Sequence, residues 1–163
     1  MKPAFFFLSA AIFLGMIGCQ PGDQRIREII KEELSSAMKR TTITDANVIG
    51  PYSPAQKVGN FLFVSGQIAI DPVTGELKQD NIEMETRQVL TNLMNILKKA
   101  GYDSSDVVSS TVYMTDMKNY PKMNNIYGGY FVDGNYPARA TVQVAALPRN
   151  ANIEISVIAY KSK

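Results

Sequence analysis

Residues 153–161 read Ile153-Glu154-Ile155-Ser156-Val157-Ile158-Ala159-Tyr160-Lys161. Successive side chains of a strand point to opposite faces, so this stretch sorts itself into two rows. Ile153, Ile155, Val157 and Ala159 form a wholly apolar row, which a helix layer must cover. Glu154, Ser156, Ile158 and Tyr160 form a mixed row. The preceding stretch, Ala138 to Ala146, alternates too, with Ala140, Val142 and Val144 opposite Arg139, Thr141 and Gln143. We expect its small apolar set to lie with the covered row. That leaves Arg139 and Glu154 together on the uncovered side, in a partly desolvated cleft closed by another subunit.

Working outward, the Leu147-Pro148-Arg149-Asn150 segment joins these two strands as a turn. Phe61 to Ile70 is a further strand, rich in aromatic and β-branched residues. It is followed by the turn Asp71-Pro72-Val73-Thr74-Gly75. A helix is predicted from Ile82 to Ala100, with Met84, Val89, Leu90, Leu93, Met94, Ile96 and Leu97 as its apolar face. Gly101 is placed to end it. Val107 to Thr115 is another strand, and Tyr120 to Phe131 a second helix with Pro121 in its first turn. A strand or hairpin is expected within Thr41 to Val58. Strands alternating with helices predict an α+β layer: a mixed sheet with two helices on one face.

The 163 residues suffice for one such domain, residues 41–163, behind an N-terminal extension. Hydrophobic residues make up 45% and charged ones 20%, a globular balance. The formal net charge is +2 and the basic residues are scattered, so no nucleic-acid partner is indicated. There is no histidine, which removes Ser-His-Asp and Cys-His nucleophile systems and His-based metal sites. One cysteine allows neither an intrachain disulfide nor a cysteine-rich zinc site.

That cysteine, Cys19, ends an unusual opening. Lys2 supplies a short basic start, residues 4–14 are almost wholly apolar, and Gly18 precedes Cys19. This pattern is a secretory signal and is too short for a spanning helix. It resembles the signal of bacterial lipoproteins, in which the cysteine is lipidated and becomes the new N-terminus, although Met16 stands where leucine is usual. The resemblance implies an exported domain anchored through Cys19. Gln20 replaces the aspartate that retains such proteins at the inner membrane, which favours the periplasmic side of the outer membrane if the organism is Gram-negative. Residues 20–40 form a helical tether, capped by Asp23 and carrying Ile26, Ile29, Ile30, Leu34, Ala37 and Met38 along one stripe. An amphipathic spacer fits two heptads better than an independently stable coiled coil.

For chemistry the chain offers Arg139, whose guanidinium can hold a carboxylate by two parallel hydrogen bonds. It also offers Glu154, whose place between isoleucines should raise its pKa toward a value useful in proton transfer. A structural Arg139–Glu154 pair explains both residues equally well, and on spacing alone it ranks first. Ser65-Gly66-Gln67 interrupts an apolar strand, where a glycine marks a bulge or a close approach. Gly50-Pro51-Tyr52-Ser53-Pro54 is a stiff loop whose tyrosine could close a pocket.

Taken in order, these segments resemble the RidA/YjgF family of imine deaminases. The likeness runs through residues 49–53, 64–67, 71–76, 124–131, 136–140 and 153–155. It implies a chorismate-mutase-like subunit, a homotrimer with clefts between subunits, and no metal or organic cofactor. It further implies hydrolysis of 2-aminoacrylate- and 2-iminopropionate-type intermediates to 2-keto acids and ammonia. Within that resemblance Arg139 binds the substrate carboxylate and Glu154 activates water, while Tyr52, Ser65 and Asn124 line the pocket. Thr141 stands where many relatives carry cysteine. Two other readings compete: a non-catalytic carboxylate-binding or holdase-like trimer, and a ribonuclease, which the lack of a basic patch and of histidine disfavours.

Overall fold

The computed structural model describes residues 21–44, 48–131 and 134–162. The signal-like segment 1–19, with Cys19, lies outside the described residues. Helix α1, Pro21–Ala37, belongs to a compact unit that ends at Ser36. Its Ile26, Ile29, Ile30 and Leu34 are all exposed. Among the described residues no helix is long and apolar enough to cross a membrane.

The second unit runs from Ala37 to Lys163. It contains strands β1 (Arg40–Ile43), β2 (Ala55–Val58), β3 (Phe61–Gln67), β4 (Val107–Met114), β5 (Ala138–Gln143) and β6 (Ile153–Tyr160). Helices α2 (Ile82–Lys99) and α3 (Tyr120–Gly128) complete it. The sheet order is β1-β2-β3-β6-β4-β5, antiparallel throughout except for the parallel pair β4 and β5. Since β3 and β4 both run antiparallel to β6, they are parallel to each other. Two crossovers, β3-α2-β4 and β4-α3-β5, therefore step the same way across the sheet. Right-handed crossovers stepping one way put both helices on one face. Among the described residues of this unit, no helix covers the other face.

Local sequence explains the helix ends. The Asn81 side chain accepts from the Met84 amide at 2.9 Å and starts α2. Gly101 takes φ +84° just beyond Ala100, the left-handed conformation that ends a helix most cheaply when glycine holds it. From α2, Val89, Leu90, Leu93 and Leu97 are fully buried, against Leu62 of β3, Ile153 and Ile155 of β6, and Val112 and Met114 of β4. Met123, Ile126 and Tyr127 of α3 extend the same core. Each large aliphatic side chain so buried contributes roughly 1.5–3 kcal/mol.

Several expectations need correction. Met84 is 47% exposed, and its neighbour Glu85 is the residue fully buried at that turn of α2. The Glu85 carboxylate accepts from the backbone amide of Asn152 (2.7 Å) and from its side-chain amide (2.9 Å), which tethers the start of β6 to the helix. Burial of this polar group is tolerated because both oxygens are satisfied. The strands starting at Phe61 and Ala138 end at Gln67 and Gln143, earlier than the apolar pattern suggests. The two closing strands are not neighbours, because β6 inserts between β3 and β4 while β5 takes the edge. In β5 the faces are also the reverse of those expected. Arg139 pairs with Ser110, Thr141 with Val112 and Gln143 with Met114, and those β4 partners are all buried on the helix side. Ala140 and Val142 thus share the open face with Glu154. The reason lies in α3, which meets this edge with the polar groups of Tyr120 and Asn124 rather than with aliphatic surface.

Candidate active site

Two groups of functional side chains emerge, on opposite faces of one sheet. Ser110 and Tyr113 of β4 are three residues apart, so their side chains point oppositely. Arg139 pairs with Ser110 and Glu154 with Tyr113. Within one chain the two therefore cannot converge, and the structural Arg139–Glu154 pair does not form.

The first group is built on β5 and α3. Arg139 Nη2 donates to Tyr120 Oη at 3.0 Å and to Asn124 Oδ1 at 2.6 Å. Its guanidinium carbon stands 4.4 Å from the centre of the Tyr127 ring. Stacking on a neutral ring and hydrogen bonding to neutral oxygens hold a guanidinium without discharging it. Burial pushes the Tyr127 phenol above its ordinary pKa, so the ring stays neutral. Among the described residues Arg139 forms no ion pair with a carboxylate. A partly buried cation fixed in this way has the geometry and charge to hold an anion.

The second group surrounds a cavity of about 210 Å³ lined by Ile49, Tyr52, Ser65, Ile68, Pro148 and Glu154, with Gly66 in its wall. The register between β3 and β6 shifts between Val64 and Gln67, a bulge placed at Ser65-Gly66. A Cβ on Gly66 would lie 1.8 Å from Glu154 Oε1, so the missing side chain is the space the carboxylate fills. Desolvation raises the Glu154 pKa above its ordinary value. Ser65 Oγ donates to the Ser53 carbonyl at 2.7 Å, and the Ser65 amide donates to the Pro54 carbonyl at 2.9 Å. The serine thus holds the 50–54 loop in place and keeps Tyr52 over the cavity. Arg149 and Asn150 adopt φ of +57° and +58° in the turn that presents Pro148, and each costs of order 1 kcal/mol or more in this region.

The structure thus groups Tyr52 and Ser65 with Glu154, and Asn124 with Arg139. Sequence reasoning missed Tyr120 and Tyr127, whose rings read only as helix residues, and Ile49, Ile68 and Pro148, which read as loop or core. Among the described residues no group of three or more His, Cys, Asp or Glu is placed to hold a metal ion.

The pattern of a family described as Endoribonuclease L-PSP matches residues 42–161. A RutC family protein of Pyrococcus horikoshii is 53% identical over 113 residues, which span 69% of this chain and 89% of that protein. The 2-iminobutanoate/2-iminopropanoate deaminase of Mus musculus is 47% identical over 113 residues, 69% of this chain and 83% of the mouse protein. The crystal structure of the YjgF gene product of E. coli superposes with a TM-score of 0.70 at 36% identity, covering 75% of this chain and 99% of that one. E. coli TdcF with bound serine superposes with a TM-score of 0.69 at 34% identity, covering 75% and 100%.

The contact between Gly66 and Glu154 makes a prediction. Gly66→Ala should lower the melting temperature only modestly, because what must move aside is the Glu154 side chain from Cγ outward and not backbone. It should nevertheless displace the carboxylate by about an ångström and lower kcat/KM about a hundredfold. A variant with unaltered kcat/KM would contradict the role that the family resemblance implies for Glu154.

Proposed function

Because the chain belongs to the family described as Endoribonuclease L-PSP, to which RidA and YjgF belong, we propose that it hydrolyses 2-imino acids to 2-keto acids and ammonia. The observation that carries this reading is the pair of half-sites. One is a guanidinium held ready for a carboxylate; the other is a desolvated carboxyl group beside a small cavity. A neighbouring copy of the chain unites them. The open face supports such packing, since Phe61 and Phe63 lie 44% and 45% exposed there, in one ring cluster with Tyr160. A homotrimer, as the family resemblance implies, gives three such clefts.

Arg139 of one subunit holds the substrate carboxylate, and Glu154 of the next holds a water against the C=N carbon. The carboxylate takes a proton from this water as its oxygen bonds to carbon and the π electrons move to nitrogen. Glu154 then returns the proton to the nitrogen. The C–N bond breaks as C=O forms, Glu154 takes up the hydroxyl proton, and ammonia leaves. An iminium carbon is already electrophilic, so orientation, water and proton movement suffice, and no nucleophilic side chain is required. Mouse 2-iminobutanoate/2-iminopropanoate deaminase performs this class of reaction, as its name states.

The test is ammonia release from 2-iminopropanoate generated in situ by an amino-acid oxidase. Arg139→Ala should lower kcat/KM by about a hundredfold or more, as loss of a charge-assisted bidentate contact does. Glu154 must be ionised to accept the proton, and its pKa is raised, so wild-type kcat/KM should rise with pH through a midpoint above the ordinary carboxylate value. Glu154→Gln should be slow and lack that limb. If wild type matches buffer while still binding a carboxylate at Arg139, the protein is the non-catalytic binding module instead.

The opening residues 1–19 add a location to this proposal: an exported domain, lipid-anchored through Cys19, on the periplasmic side of the outer membrane if the organism is Gram-negative. Incorporation of a fatty-acid analogue into the wild type, and its loss in Cys19→Ser, is the expected result. Equal labelling of both would exclude the anchor.

A further inference from the structure

The stretch Asp71-Pro72-Val73-Thr74-Gly75-Glu76 carries part of the family resemblance, yet it contributes no side chain to either half-site. It forms a small hairpin, with Ile70 bridged to Leu77 and the Asp71 amide donating to the Glu76 carbonyl at 2.8 Å. Asp71 stiffens the hairpin from within. Its carboxylate pairs with Lys78 at 2.7 Å and accepts from the amides of Val73 (2.8 Å) and Thr74 (3.3 Å). These contacts, the Lys78 bond foremost, hold its pKa down at about 2, so the carboxylate is ionised at neutral pH. Helix α2 fixes the hairpin to the domain. Gln88 accepts from Lys78 at 3.1 Å, and the Asn92 amide donates to the carbonyls of Ile68 (3.2 Å) and Ile70 (2.8 Å).

From this anchored position the hairpin grips the turn that precedes β6. Arg149 Nη1 donates to the Gly75 carbonyl at 3.0 Å, and Gln79 Nε2 donates to the Asn150 carbonyl at 2.5 Å. Arg149 and Asn150 are the two residues at positive φ, which asparagine tolerates and arginine does not. Strain of this kind persists where surrounding contacts over-determine the backbone, and here they come from 74 and 71 positions earlier in the chain. What they set is Pro148, whose ring is one wall of the Glu154 cavity and has no N–H to offer. Among the described residues no charged side chain but Glu154 lines that cavity; of other titratable groups, Tyr52 lines it and Tyr113 is paired with Glu154 from β4. We propose that the 71–79 hairpin braces the Glu154 cavity, and that Arg149 and Gln79 are positioning residues that hold Pro148 as its wall. With the wall in place water is kept from the carboxyl group, and desolvation is the cause of its raised pKa. The brace rests on the deaminase reading for its kinetic effects, while the titration of Glu154 is readable without turnover.

The experiment uses full-length protein and a double variant, Arg149→Gly with Gln79→Ala, which cuts both contacts. Glycine relieves the left-handed strain, so the melting temperature should stay close to that of the wild type. Carboxyl titration by 13C NMR, with the Glu154 signal assigned by its absence from Glu154→Gln, should show the midpoint moving down toward the ordinary carboxylate value. With 2-iminopropanoate, kcat should fall about tenfold as the base weakens and shifts. KM should change by less than about twofold, because Arg139 lies on the other face of the sheet. The acidic limb of kcat/KM should move to lower pH together with the NMR midpoint. Gln79→Ala alone, a change at an exposed site, should give part of the shift. Asn150→Gly keeps both contacts and should retain the wild-type midpoint and kcat. An unmoved Glu154 midpoint in the double variant overturns the brace, and so does an equal fall in Asn150→Gly. A midpoint that falls in a protein without imine turnover leaves the brace standing and removes the deaminase reading. Turnover by the wild type, with an unmoved midpoint in the double variant, does the reverse.

Discussion

A strand changes the face of its side chains at every residue, and here that period decides where the chemistry sits. β4 is paired on one side with β5 and on the other with β6, and it transmits their registers to each other. Ser110 fixes Arg139 to the helix side, and Tyr113 fixes Glu154 to the open side. A slip of one residue would reverse either assignment and move apolar residues of the core into water, so burial locks the register. The separation of the anion receptor from the carboxyl group is therefore a property of the fold itself, not of side-chain conformation. A single protomer holds two halves that face away from each other.

The same topology supplies the means of joining them. Two crossovers that step in one direction put both helices of this unit on one sheet face and leave the other without either. Serine and threonine alternate there with Phe61, Phe63, Ile158, Val142 and Ala140, a mixture too apolar for a solvent face and too polar for a sealed interior. Such a face suits contact with another protomer, with polar clefts left between the packed rings. Within it the bulge at Ser65-Gly66 makes room for one carboxylate, and the Ser65 hydroxyl ties the tyrosine-bearing loop above it. Glu85, sealed in the core, anchors Asn152 and hence the first turn of the strand that carries Glu154.

How much of this was legible follows from the physics of each element. The long helix α2 was plain because leucines and isoleucines repeat at its period, and the Asp71–Gly75 turn because its residues have turn chemistry. Gly66 was legible as an interruption, and its cause, a carboxylate three strands later in sequence order, was not. The faces of β5 were misread for an instructive reason. Alternation tells which residues share a face but not which face is covered, and small apolar residues suit a subunit contact as well as a core. The polar partners of Arg139 come from α3 residues whose orientation depends on how the helix docks. Met84 and Glu85 show the same limit, since adjacent positions at a helix start exchange inside and outside with a small rotation.

The central claim, that neither half acts alone, is tested most directly by mixing two inactive chains. Arg139→Ala and Glu154→Gln subunits, dissociated together and reassembled in equal amounts, should regain activity. In the homotrimer proposed above, random reassembly would give about a quarter of the clefts an intact Arg139 from one chain and an intact Glu154 from the other. Recovery near that fraction of wild-type kcat is the predicted result. No recovery, with exchange of subunits verified by mass, would place both groups in the service of a single chain and contradict the account.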